Sequence, residues 1–147
     1  MKLNKRRQKR SLLLVFWLII SFFSLTLASF FIPVISSLFQ GPQFMLLPLG
    51  VFILGGALVW LTLKQEKKGL LRKFLLLTGG SAMGLLAFSV LHNLFYAVEV
   101  ITKDVLLISR LAGLIHALFF IVAVIICPIG FLVGAIGTIL RLVNPRG

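Results

Sequence analysis

The side chains of this chain that can do chemistry are few, and most of them lie in one neighbourhood. His92, Asn93, Tyr96 and Glu99 fall within the segment "LHNLFYAVE", and His116 follows 24 positions after the first histidine. These are the 2 histidines of a 147-residue chain, and Glu99 is one of its 3 acids. On a helix, positions 92, 96 and 99 follow i, i+4 and i+7 and share a face, with Asn93 to one side. Imidazole titrates near neutral pH and is the commonest metal ligand. A pair of imidazoles with a carboxylate can therefore hold haem iron or a divalent metal, orient a quinone or a lipid head group, or pass protons. The plainer alternative is a hydrogen bond between the histidines across a helix interface, with Tyr96 in an aromatic belt and Glu99 set against Lys103 or Arg110. The one cysteine, Cys127, cannot form an internal disulfide and is read as a small packing residue.

The elements that must position these groups are apolar. Four tracts, Leu12 to Ile35, Phe44 to Leu63, Phe74 to Val98 and Leu111 to Leu140, contain no Asp, Glu, Lys or Arg. Each is about as long as, or longer than, the roughly 20 helical residues that cross a hydrocarbon layer of about 30 Å. They are apolar all round rather than alternating, so helices are the economical way to satisfy their backbone groups in lipid. The expected fold is all-α: an integral membrane four-helix bundle, antiparallel up-down, with helices over about 12–35, 44–63, 70–98 and 109–141. A basic cytoplasmic tail over 1–11 precedes them, and the whole of 1–147 forms a single domain. The first tract exceeds a signal-peptide core of about 7 to 15 residues and is read as a retained span. Cleavage after Ala28, leaving three spans, is the alternative.

Charge sets the orientation. Of the 15 Lys and Arg, 13 flank one set of span ends: those in 2–10, those in 64–73, and Arg141 and Arg146. The opposite side holds Lys103 and Arg110, balanced by Glu99 and Asp104, so the whole net charge of +12 belongs to one face. The positive-inside rule then places both termini in the cytoplasm, an N-in/C-in arrangement in a cell (inner or plasma) membrane. Trp17 and Trp60 lie near the basic clusters, at the depth of an inner aromatic belt. A charge of this size would point to nucleic acid in a soluble chain. Here no aromatic or glycine-rich pattern accompanies it, and the expected partner is anionic lipid at Lys5, Arg6, Arg7, Lys9, Arg10, Lys67, Lys68, Arg72 and Lys73.

Small residues mark where helices approach. Gly130 and Gly134 form a G-x-x-x-G within a helical stripe, Ser109, Ala112, His116, Phe120, Ala123, Cys127, Gly130, Gly134, Thr138 and Arg141. Gly80 and Gly84 form a second groove, on a third helix expected to be sandwiched between two neighbours. Antiparallel packing would bring His92 and His116 to similar depth. Pro128 is expected to kink the fourth helix, which at about 30 residues is too long to span upright.

There is no C-x-x-C, no H-E-x-x-H, no pair of intramembrane aspartates and no glycine-rich phosphate loop. The expectation is a small multi-pass membrane protein of accessory, scaffold or interaction type, self-associating or docked in a larger complex, without evident catalytic machinery. The competing expectation is a membrane redox or ligand-binding protein that uses the two histidines for haem, metal or quinone.

Overall fold

The computed structural model describes residues 2–38, 45–65 and 69–144. Its elements are all helical: α1 Lys2–Phe31, α2 Pro33–Leu38, α3 Leu46–Leu63, α4 Leu70–Ile101, α5 Leu106–Ile121 and α6 Cys127–Val143. A π-helical turn, Val122–Ile126, joins α5 to α6 without a break. Among the described residues, 4 helical stretches are long and apolar enough to cross a membrane: Arg10–Ser29, Leu46–Leu63, Leu70–Ile101 and Leu106–Val143.

Helix borders follow local chemistry. The basic segment expected as a tail is helical from Lys2 onward, because Leu, Lys, Arg and Gln are good helix formers and neither Gly nor Pro occurs before Pro33. α1 ends at Phe31, since the residue before a proline avoids the helical region, and Pro33 opens α2, where its missing N–H costs nothing. The expected start of the second span at 44 lies outside the described residues. Gly69, with φ of 151°, turns the chain into α4 through a conformation that side chains rarely adopt.

Pro128 produces a π turn rather than a simple kink. The N–H of Cys127 bonds to the carbonyl of Val122, five residues back, and Pro128 then sits in the first turn of α6. A helix that restarts there does not need the proline's absent donor.

α4 is the central helix. It packs along α3 on one side and along α6 and α5 on the other, while α1 packs on α3. On α1, Leu12, Phe16, Ile19 and Phe23 form the inward seam. They join Val51, Leu58, Leu75, Ala82, Phe131 and Ala135 in one core. The rings of Phe23 and Phe131 stack with centroids 3.7 Å apart, which ties α1 to α6. Three buried threonines bond within their own helices: Thr26 to the carbonyl of Phe22 at 2.8 Å, Thr62 to that of Leu58 at 2.6 Å and Thr78 to that of Phe74 at 2.9 Å.

Glycines let the backbones approach. A Cβ on Gly55 would lie 2.8 Å from the carbonyl oxygen of Gly79, and one on Gly79 would lie 2.9 Å from that of Gly55. Along α4 and α6, Gly84 faces Cys127, Gly130 faces Ser81, Gly134 faces Thr78 and Gly137 faces the Phe74 ring. Ascending positions of α4 thus meet descending positions of the last helix, the signature of an antiparallel pair. Two sequence expectations are corrected. Gly80 is exposed and a Cβ there would meet nothing within 4 Å, so its neighbour Gly79 is the packing glycine. Phe120 is 49% exposed and borders α4 at His92, with ring centroids 5.3 Å apart, whereas Phe119 is the half-buried ring, 5.8 Å from Phe88 and 5.5 Å from Phe95 between centroids.

Candidate functional site

The far ends of α4 and α5, joined by the turn at 102–105, carry the polar cluster. Both helices run through it at full regularity, so each side chain is held by a rigid element. His92, Tyr96 and Glu99 present one face of α4 to α5, where Ser109, Gly113 and His116 recur at helical spacing.

The two histidines meet. Their ring centroids are 5.2 Å apart with the planes tilted by 56°. Nδ1 of His92 lies 2.9 Å from the backbone carbonyl oxygen of His116. A carbonyl only accepts, so this Nδ1 carries the proton and donates. Nδ1 of His116 lies 2.6 Å from Oε2 of Glu99, with side-chain exposures of 23% and 34%. Both atoms are sealed from solvent and neither has a hydrogen-bond partner among the described residues, so the contact is a close approach of imidazole and carboxylate rather than an aligned hydrogen bond.

Gly113 makes this pair possible. A Cβ at 113 would come within 3.0 Å of Oε1 and 3.2 Å of Cδ of Glu99. The carboxylate therefore lies against bare α5 backbone, one turn before His116. The hydroxyl of Ser109 reaches the carbonyl of Glu99 at 3.4 Å, a weak contact. Tyr96 sets its ring edge-on to His116 with centroids 5.7 Å apart. Asn93 does not join: its amide bonds to the carbonyl of Ser89 in its own helix at 2.8 Å, and the residue is exposed.

Beside the histidines lies a shallow open groove of about 410 Å³, lined by His92, His116, Ala117, Phe120 and Ile121. The His92 and Phe120 rings lie 5.3 Å apart. Sequence reasoning singled out the histidines, Tyr96 and Glu99 but missed Gly113, Ala117 and Ile121. Gly113 had a legible signal, a small residue three positions before a histidine on the same face. The groove had none, because it depends on the outward turn of Phe120.

The arrangement is unlike a haem site. Axial imidazoles approach iron from opposite faces of a porphyrin, and rings with centroids this close leave no slot between them. Nor, among the described residues, is there a group of three His, Cys, Asp or Glu able to hold a metal ion.

At the opposite end of the bundle, Lys64 lies over the Trp60 ring, 3.6 Å from its centroid. Arg10 and Lys73 are exposed, and Arg72 is half-buried. Lys67 and Lys68 lie outside the described residues, and of Lys5, Arg6, Arg7 and Lys9 only the backbone is described. Gly84, Gly130 and Gly134 lie far from the histidines along α4 and α6 and serve packing. Comparison of the chain with protein families, with characterised proteins and with solved structures finds no match.

Proposed function

We propose that this chain is a multi-pass protein of a cell membrane, with both termini cytoplasmic, that acts as an accessory or scaffold subunit rather than as a catalyst. Four span-length apolar helices and the one-sided charge support the membrane setting. The observation that carries the accessory role is the surface of α5. Ala112 is its one buried residue among those described, and the helix leans on α4. Leu107, Leu111, Leu114 and Leu118 follow i, i+4, i+7 and i+11 and are all exposed, by 72%, 51%, 71% and 57%. Such a leucine stripe on a helix with few partners of its own is a surface for a second copy or another membrane helix.

Single cysteines at 107, 111, 114 and 118 in a Cys127→Ala background test the reading by oxidative crosslinking in native membranes. Adducts are expected from these positions and not from position 53 on the exposed face of α3. Absence of adducts at all four overturns the accessory role.

A second reading, ligand binding at the histidines, is favoured by one observation: both rings line an open groove. The basic end adds a lipid partner, since clustered cations at a membrane surface attract anionic head groups at about 1 kcal/mol each.

A further inference from the structure

We infer that α5 is fastened to α4 by a proton-dependent clamp, in which a second ring proton on His116 turns its close approach to Glu99 into an ion pair. Nδ1 of His116 and Oε2 of Glu99 lie 2.6 Å apart, both sealed from solvent and neither with a hydrogen-bond partner among the described residues. A neutral imidazole holds one proton and keeps it on either nitrogen, whereas an imidazolium carries one on each. Protonation therefore supplies a donor at Nδ1 whichever tautomer the neutral ring adopts. It also sets a positive charge beside the carboxylate, and opposite charges attract more strongly in partly buried surroundings than in water. Imidazole changes charge between about pH 5 and 8, and 23% of the His116 side chain is exposed, so the proton has a route to the ring. Conditions acidic enough to protonate carboxylates remove the attraction again.

Few other groups face the pair. α4 sets His92 and Tyr96 beside His116, and Nδ1 of His92 is engaged with the carbonyl of His116. Lys103 and Asp104 in the turn and Arg110 on α5 are exposed, and none of them forms an ion pair among the described residues. Residues 11–63 include no Asp, Glu, His, Lys, Arg, Tyr or Cys, and 111–140 add only Cys127 to His116. α5 is the helix that such a clamp governs. Ala112 is its one buried residue among those described, it packs on α4, and a π turn joins it to α6. Among the described residues, every side-chain polar contact between α5 and α4 involves Glu99 or the two histidines. Paired, α5 is held in one orientation; unpaired, it pivots about the π turn, a local irregularity of the kind found at functional sites. Where the exposed leucine stripe docks a partner, a consequence that rests on the accessory reading, the clamp regulates that docking.

The test uses the full chain in phosphatidylcholine nanodiscs. Spin labels are placed at 94 and 107, exposed positions on α4 and α5, in a Cys127→Ala background. Pulsed-EPR distances at about pH 5.5 and about pH 8 sample the helix pair on either side of the imidazole range. A narrow distribution is expected at the lower pH. The ratio of displaced to docked α5 is expected to rise about fivefold at the higher one, the size that a partly exposed ion pair supports. In the unlabelled, unsubstituted chain the imidazole ¹⁵N signals of His116 are expected to show two ring protons at the lower pH and one at the higher. Glu99→Gln keeps the shape of the side chain without its charge and is expected to abolish the pH response, while His92→Phe is expected to retain it. Distances that do not change with pH, a response that survives Glu99→Gln, or one that disappears with His92→Phe overturns the proposal. So does a His116 ring that keeps one proton at both pH values. Crosslinking from the leucine stripe tests the accessory reading separately, because the clamp needs no partner.

Discussion

At Gly113 the space of a missing side chain is taken by the Glu99 carboxylate, and this accounts for a half-buried polar pair between α4 and α5. Gly113→Val is expected to displace the carboxylate and cost about 1 to 2 kcal/mol, through overpacking and the lost contact with His116. In a Glu99→Ala background the same change is expected to cost nearly nothing, because its obstacle is gone. Thermal unfolding of the two single variants and the double variant in detergent checks this, and simple additivity would refute the coupling. Thr138 makes a second prediction. Its hydroxyl is fully buried without a hydrogen-bond partner among the described residues. Thr138→Val removes an unsatisfied group at nearly constant volume and is expected to raise stability by about 1 kcal/mol in the same assay. The histidines, Tyr96 and Glu99 were legible in the sequence as rare polar types at helical spacing. The orientation of Asn93 into its own helix was not, because an amide at the helix surface is free to choose between neighbours.

Adjacent glycines on α4 show how little separates a packing position from an open one. Gly79 meets the backbone of α3, whereas Gly80, about 100° further round, meets nothing. Gly79→Ala is expected to destabilise by about 1 to 3 kcal/mol, as a Cβ pressed on a carbonyl must separate the helices. Gly80→Ala is expected to stabilise by up to about 1 kcal/mol through helix propensity alone. Opposite signs from neighbouring residues, read by chemical or thermal unfolding, distinguish this register from the reverse one. The π turn has the same character. Tract length and hydrophobicity predict one long fourth helix, and Pro128 predicts a disturbance within it. Only the packing of Phe119 and Cys127 toward α4 decides that the disturbance is an extra residue in the turn, which leaves Phe120 outward.

For the whole molecule the asymmetry of charge is the property to test. A cysteine replacing Lys103 in a Cys127→Ala background is expected to react with an impermeant reagent added outside intact cells. One replacing Gln65 is expected to react only after lysis, and the reverse pattern would invert the topology. Stability in vesicles is expected to rise when phosphatidylglycerol replaces part of the phosphatidylcholine, and the gain is expected to fade with salt as surface charges are screened. Equal melting temperatures in both vesicles would leave the cations with topology alone. Burial drives helix association weakly in lipid, so the close glycine contacts of α3 with α4 and of α4 with α6 are the expected source of the bundle's cohesion.

The helical class, the number of span-length segments and the clustering of cations were already legible in the order of residues. Each of these follows from one-dimensional quantities: the length of uncharged apolar runs and the count of cations between them. The order of residues also marked the histidines and Glu99 as the groups worth following. Packing in three dimensions fixed which glycines touch, that Gly113 admits the carboxylate, that Nδ1 of His92 is engaged and that a groove opens beside Phe120. Those outcomes turn on rotations of about 100° per residue and on separations of a few tenths of an ångström, and composition and periodicity average over both.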